Sequence, residues 1–136
     1  MATHVLDAWP IMAWLKGQSP AAERVRNLLR APDRVRPAMN IVNLGEVYYL
    51  SAKNRDWRYA ERVLKGLRNR LTVLSATDDL VMLAAKLKGR YAISYADGFA
   101  AATAILNNGV LVTGDPELRA VSRGEKELRI DWIGSA

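Results

Sequence analysis

The sequence predicts an α/β fold with a mainly parallel sheet. Three observations carry this. Short β-like runs alternate with longer segments of helical periodicity. The run Val110-Leu111-Val112 is wholly apolar, as a buried strand should be, and ends in the turn Thr113-Gly114-Asp115-Pro116. The chain of 136 residues, 50% of them hydrophobic, fits one domain with one core, spanning residues 1–136.

The elements follow in order. His4-Val5-Leu6 is a short strand ending at Asp7, and Pro10 suits the first turn of a helix through Ala13, Trp14 and Leu15 that Gly17 closes. Ser19 as N-cap, Pro20 at the first helical position and Glu23 in the first turn open the next helix. Val35 to Met39 is a strand interrupted by Pro37. Asn40 caps a helix carrying Val42, Glu46, Val47 and Leu50.

Asp56 to Arg70 is helical, with Ala60, Val63, Leu64 and Leu67 on one face and Arg58, Arg62 and Lys65 on the other. Leu71 to Leu74 is a strand. Thr77 or Asp78 starts a helix that runs to Gly89, and Ser94 to Leu106 is an Ala-rich helix stopped by Asn107-Asn108-Gly109. Leu128 to Ile133 alternates like an edge strand. The sequence shows no internal repeat or linker.

Composition excludes several classes. With no Cys, there is no disulfide framework, thiolate metal site or Cys nucleophile. No apolar run approaches the ~20 residues that span a bilayer, and the opening Met-Ala-Thr-His-Val-Leu-Asp lacks a signal peptide's pattern. A cytoplasmic protein without a membrane partner is expected. The net charge of +6 favours a polyanionic partner.

Most of the acidic residues sit in turns, helix starts or solvated faces. Four do not. Asp7 follows the first strand, Asp115 ends the strand Val110–Val112, Asp97 lies near the start of the Ala-rich helix, and Glu46 stands among Ile41, Val42, Leu44 and Val47. Functional crevices of parallel α/β sheets lie outside the carboxyl ends of the strands, where Asp7 and Asp115 fall. Each acid also has a structural explanation: Asp7 and Asp97 as helix-start residues, Asp115 as a turn former, Glu46 as half of an ion pair.

As a group, carboxylates in one crevice repel and raise each other's pKa unless a cation neutralises them. Oxygen donors without Cys and with one poorly placed His select Mg²⁺, which Mn²⁺ can replace, rather than zinc. Such a site can activate a water and shield a phosphodiester during in-line displacement, so metal-assisted phosphodiester hydrolysis is the reaction these residues suggest. His4 lies three residues before Asp7, on the opposite face of its strand, and is expected to be structural.

Four segments carry a resemblance to a known family: Val5-Leu6-Asp7, Asn40-Ile41-Val42-Asn43-Leu44-Gly45-Glu46, Ser94-Tyr95-Ala96-Asp97-Gly98-Phe99-Ala100, and Leu111-Val112-Thr113-Gly114-Asp115-Pro116-Glu117-Leu118. In this order and spread over almost the whole chain, they resemble the acidic motifs of PIN-domain ribonucleases, and within them the VapC-like toxins of toxin–antitoxin pairs. The resemblance implies a PIN fold, with a parallel five-stranded sheet flanked by helices. It also implies an Mg²⁺-dependent endoribonuclease that leaves a 5′-phosphate, with Asp7, Glu46, Asp97 and Asp115 as catalytic metal ligands.

By the same resemblance, Thr113 orients a carboxylate, Asn43 does similar supporting work, and Glu117 falls where some relatives carry a further acid. Trp9 stands where relatives have a small or hydroxylated residue and is expected in the core. Gly98 replaces a common Ala at a cost of about 0.5–1 kcal/mol in helix stability. The family's partners are an RNA substrate, a cognate antitoxin and a second copy of the chain. Trp14, Tyr48, Tyr49 and Trp57 are candidates for those protein surfaces.

Lys53, Arg55, Arg58, Arg62, Lys65, Arg68 and Arg70 form the densest basic stretch, with Trp57 and Tyr59 among them. Arg55, Arg58, Arg62 and Lys65 are the candidate RNA-binding residues. Setting the four site acids aside, 20 basic residues face the remaining acids as a basic surface around one acidic pit. Two other readings fit less well. A phosphoacceptor receiver module needs paired acids after the first strand and a Lys at the end of the last. A PIN-like module that binds RNA or protein without cutting has no need of all four acids.

Overall fold

Strand β1 (His4–Leu6) is the centre of a five-stranded, all-parallel sheet in the computed structural model, which describes residues 2–135. The other strands are β2 (Ala38–Asn40), β3 (Thr72–Leu74), β4 (Val110–Thr113) and β5 (Arg129–Trp132), in the order β3-β2-β1-β4-β5. Val5 lies opposite both Ala38 and Leu111, and Leu111 opposite Ile130. The order reverses beside β1, which places a crevice outside the carboxyl ends of β1 and β4.

The described residues form seven α-helices: α1 (Ala8–Leu15), α2 (Ala21–Leu29), α3 (Ile41–Asn54), α4 (Trp57–Arg68), α5 (Asp78–Arg90), α6 (Tyr95–Leu106) and α7 (Pro116–Gly124). Strand alternation divides the core in two. Val5 and Leu111 pack with Leu80, Ala84 and Leu87 of α5, Phe99 to Ala102 of α6, and Leu118 and Val121 of α7. Leu6, Met39 and Val112 pack on the other face with Ile11, Val25, Leu29, Leu44, Val47 and Leu67. The layers are therefore helices α5 to α7, sheet, and helices α1 to α4. No helix among the described residues is long and apolar enough to cross a membrane.

The predicted caps at Asn40 and Thr77 form. Asn40 Oδ1 accepts from Asn43 N–H at 2.8 Å and Thr77 Oγ1 from Leu80 N–H at 3.2 Å. Asp56 caps α4 in the same way, accepting from Tyr59 N–H at 2.8 Å. Two boundaries move. The second strand begins at Ala38 rather than Val35, because Pro37 has no N–H to donate; Val35 lies in a 3-10 turn instead. Helix α2 begins at Ala21, and the Ser19 hydroxyl, expected to cap it, donates to the Glu23 carboxylate at 2.6 Å.

Gly98 has a packing reason that its propensity hides. A Cβ there would stand 2.9 Å from the Ala84 carbonyl oxygen, so the approach of α6 to α5 requires a glycine.

Candidate metal centre

The end of β1 delivers Asp7 to the N-terminus of α1 without letting it cap that helix. Asp7 is the N-cap residue by position, yet its side chain accepts no bond from the α1 backbone. It is 2% exposed; Oδ2 accepts from the Thr113 hydroxyl at 3.1 Å, and Oδ1 is buried with no donor among the described residues. An orphaned buried carboxylate oxygen is costly and calls for a partner. The capping explanation of Asp7 therefore fails.

Thr113 ends β4 one strand away and is fully buried. Its hydroxyl donates to Asp7 and accepts from the Asp115 N–H at 3.1 Å, so one side chain sets both the Asp7 carboxylate and the Asp115 backbone. Asp115 caps α7 through Oδ1, which accepts from Glu117 N–H at 2.9 Å. Asp97 stands in the first turn of α6, where Ser94 Oγ caps its N–H at 3.1 Å. Carboxylate oxygens of Asp7, Asp97 and Asp115 all lie within 4.8 Å of one another.

Glu46 is half-buried and lines the same cleft, but it is not among the three carboxylates that close to this distance. Asn43, one turn earlier, holds the frame. Its Oδ1 accepts from Asn40 Nδ2 at 2.7 Å, and its Nδ2 donates to the Ala96 carbonyl at 3.0 Å, beside Asp97. Asn40 Nδ2 also donates to Thr103 Oγ1 at 2.8 Å. This buried amide and hydroxyl network fixes α3 against α6 and so sets the two acids they carry. Sequence reasoning missed Thr103, whose signal was a lone hydroxyl in an Ala-rich helix.

The electrostatics are those of an uncompensated cluster. Burial, more than the Asp97 and Asp115 charges, raises the Asp7 carboxyl well above its ordinary value, against the lowering effect of the Thr113 bond. Burial and then Asp115, Glu46 and Glu117 push Asp97 up to about 7, although Ser94 opposes them. Glu46 is raised by burial and by Asp115, with Asn43 opposing. None of the four acids has an ion pair among the described residues. Glu117 is exposed and does not line the cleft; it acts on Asp97 through its charge.

The cleft, about 240 Å³, is also lined by Trp9, Met12, Lys16 and Gln18. Trp9, expected in the core, is half-buried at the cleft wall, where its ring covers Gly114; a Cβ on Gly114 would lie 2.3 Å from that ring. The signal for this wall was helical spacing from Asp7: Ala8, Met12 and Lys16 recur every four residues of one face. His4 lies at the far end of β1, in a pocket with Arg24, Arg34 and Arg36, and does not line the acidic cleft.

None of Arg55, Arg58, Arg62 and Lys65 lines the acidic cleft. Arg55 lies over the Tyr59 ring, 4.4 Å from its centroid. Arg62 lines a groove of about 390 Å³ between α1, α2 and α4, in which Trp14, Leu29 and Leu67 are bordered by Arg26, Arg30, Arg62 and Arg70. Arg58 and Lys65 are exposed on α4. Of the aromatic candidates, Tyr49 and Trp57 are exposed, and Tyr48 packs on Trp57 with ring centroids 5.1 Å apart.

A parallel sheet in this order, with acids from the ends of β1 and β4 and from α3 and α6, defines a class of α/β domain built around an acidic strand-end cleft. The PIN domain family matches residues 4–124, and the chain belongs to that family. The fold is shared with chains of solved structures. These include VapBC2 from Rickettsia felis bound to a DNA fragment from its promoter (TM-score 0.73, 17% identity, covering 96% of this chain and 98% of that one). VapBC-1 from nontypeable Haemophilus influenzae gives a TM-score of 0.71 at 20% identity, over 96% and 97% of the two chains. VapC20 from Mycobacterium tuberculosis, a sarcin-ricin loop cleaving toxin, gives 0.71 at 20% identity, over 93% and 99%. No curated protein matches the sequence.

Proposed function

We propose that this chain is an Mg²⁺-dependent endoribonuclease, the toxin of a toxin–antitoxin pair, with Asp7, Glu46, Asp97 and Asp115 as its catalytic acids. The observation that carries the reading is the buried Asp7 carboxylate, with Oδ1 unpartnered and two further carboxylates within 4.8 Å. Membership of the PIN domain family, and the fold shared with a toxin described as cleaving an RNA loop, support the same chemistry.

The residues fit a hard divalent cation. Their donors are all carboxylate oxygens, no basic side chain among the described residues forms an ion pair with them, and Asp7 Oδ1 lacks a partner among those residues. Asp7, Asp97 and Asp115 would hold the ion, with Glu46, which lines the same cleft, as a further ligand. When bound, Mg²⁺ or Mn²⁺ supplies Lewis acidity toward a phosphodiester and toward water. Thr113 keeps Asp7 and Asp115 in place, and Asn43 fixes α3 against α6. Trp9 and Met12 line the cleft beside the acids.

An antitoxin is the second partner. The groove between α1, α2 and α4, apolar at its base and edged by four arginines, suits an amphipathic segment with acidic flanks. A homodimer is the proposed assembly. Exposed Met82, Tyr95 and Leu106 leave apolar surface on α5 and α6 for a second copy. The chain as one PIN domain acting in the cytoplasm completes the reading.

The test is cleavage of cellular RNA by purified protein, with ends mapped, in Mg²⁺, in Mn²⁺ and in EDTA. Cleavage should require the ion and disappear in Asp7→Asn and Asp97→Asn. RNA bound but left intact by the wild type in every ion would favour a non-cleaving module instead.

A further inference from the structure

The acidic cleft does not end at its acids. Met12 and Lys16, the wall of α1, also line a second pocket of about 320 Å³, completed by Leu15, Asn54, Arg55 and Tyr59. The two spaces therefore share one wall, and Lys16 stands between them. Lys16 is exposed at the C-cap of α1 and makes no ion pair among the described residues. Arg55 is exposed and likewise unpaired, and its guanidinium lies on the Tyr59 ring. A bridging ammonium beside a cation–aromatic stack offers what one nucleotide presents: a phosphate and a flat base. The pocket volume falls at the small end of ligand sites, ~300–1,000 Å³, which suits one nucleotide rather than a duplex.

We propose that Lys16 and Arg55 form a subsite for the nucleotide next to the scissile phosphate, Lys16 binding its phosphate and Arg55, on Tyr59, stacking its base. This rests on the ribonuclease reading and adds the path of the strand. It also separates the basic residues that the sequence groups together. Arg55 lines this pocket, 4.4 Å from the Tyr59 centroid, whereas Arg62, 5.9 Å from the same ring, lines the groove between α1, α2 and α4. Lys16 and Arg55 are positioning residues; the acids remain the site of reaction.

The test reads binding without cleavage. Fluorescence anisotropy of a labelled single-stranded RNA octamer in EDTA is compared for wild type, Lys16→Gln, Lys16→Arg, Arg55→Gln and, from the pocket at the amino end of β1, Arg34→Gln. Lys16→Gln and Arg55→Gln should each weaken binding about 5- to 10-fold, since a stacked base is worth ~1–3 kcal/mol and a phosphate contact adds to the salt-dependent part of affinity. Lys16→Gln should lower the salt slope by about one ion, Lys16→Arg should restore it, and Arg34→Gln should stay within about twofold. In Mg²⁺ the Lys16→Gln loss should fall on KM, with kcat nearly unchanged. Wild-type affinity in both Lys16→Gln and Arg55→Gln, or a larger loss in Arg34→Gln, overturns this path and leaves the nuclease reading intact. No RNA binding by the wild type overturns both.

Discussion

The two ends of this sheet carry pockets of nearly the same size and opposite chemistry. At the carboxyl ends of β1 and β4 the cleft measures about 240 Å³; at the amino end of β1, a pocket of about 260 Å³ holds His4, Arg24, Arg34 and Arg36. Around the second pocket, two of the three arginines are paired. Arg36 bonds Asp33 at 2.6 Å, and Arg24 pairs with Asp131 of β5. In the cleft, carboxylates stand together and no basic side chain among the described residues pairs with them. Cavity size says nothing about which end works. Unbalanced charge does, because a fold that buries one sign of charge without a partner is unstable unless something else neutralises it.

That contrast can be broken by substitution. The largest effect is expected at the acids. Asp97→Asn and Asp7→Asn should each lower RNA cleavage at least about 100-fold while raising the melting temperature in EDTA, since each removes a repelling charge. Calorimetric melting beside the cleavage assay checks both. A loss of activity with a loss of stability would point to simple misfolding. Next comes Thr113→Val, which keeps the shape and removes the hydroxyl shared by Asp7 and Asp115. Metal affinity should fall about 10- to 100-fold, and Thr113→Ser should keep most of it.

The pH response should differ in sign from that of an ordinary paired carboxylate. Asp7, Glu46 and Asp97 are raised, so the metal-free protein favours their protonated forms, and that stability is lost as pH rises through the folded pKa, about 7 for Asp97. In EDTA the melting temperature should fall from about pH 5 to about pH 8. Saturating Mn²⁺ should flatten or reverse the trend, because the ion binds the deprotonated carboxylates. The smallest effect belongs to the other end. Arg24→Ala should cost at most about 1 kcal/mol, as a partly exposed ion pair does, and leave cleavage unchanged.

Much of this was legible in the sequence, and for a definite reason. Asp7 and Asp115 close apolar strands, and Asp97 follows a Ser cap, so local pattern alone places three acids at one end of a parallel sheet. Glu46 was legible as an acid on an apolar stretch, although not its standing outside the close trio. Other features depend on which element packs against which. Trp9 reads as core because nothing local reveals that the ring must cover Gly114, just past the end of β4. Arg55 and Arg62 read as one basic stretch, yet α1 and α2 turn the surface near Arg62 into a groove and leave Arg55 beside Tyr59. Lys16 carried only the helical spacing it shares with Ala8 and Met12. Its place follows from where α1 ends, and Gly17, at φ +67°, ends it there.

The central claim is that the cleft holds a divalent cation through Asp7. Isothermal titration of Mn²⁺ into the metal-free wild type, Asp7→Asn and Arg24→Ala tests it without reference to any substrate. The account predicts a binding heat in the wild type and Arg24→Ala that is lost in Asp7→Asn. Equal binding by wild type and Asp7→Asn, or none by the wild type, would contradict it.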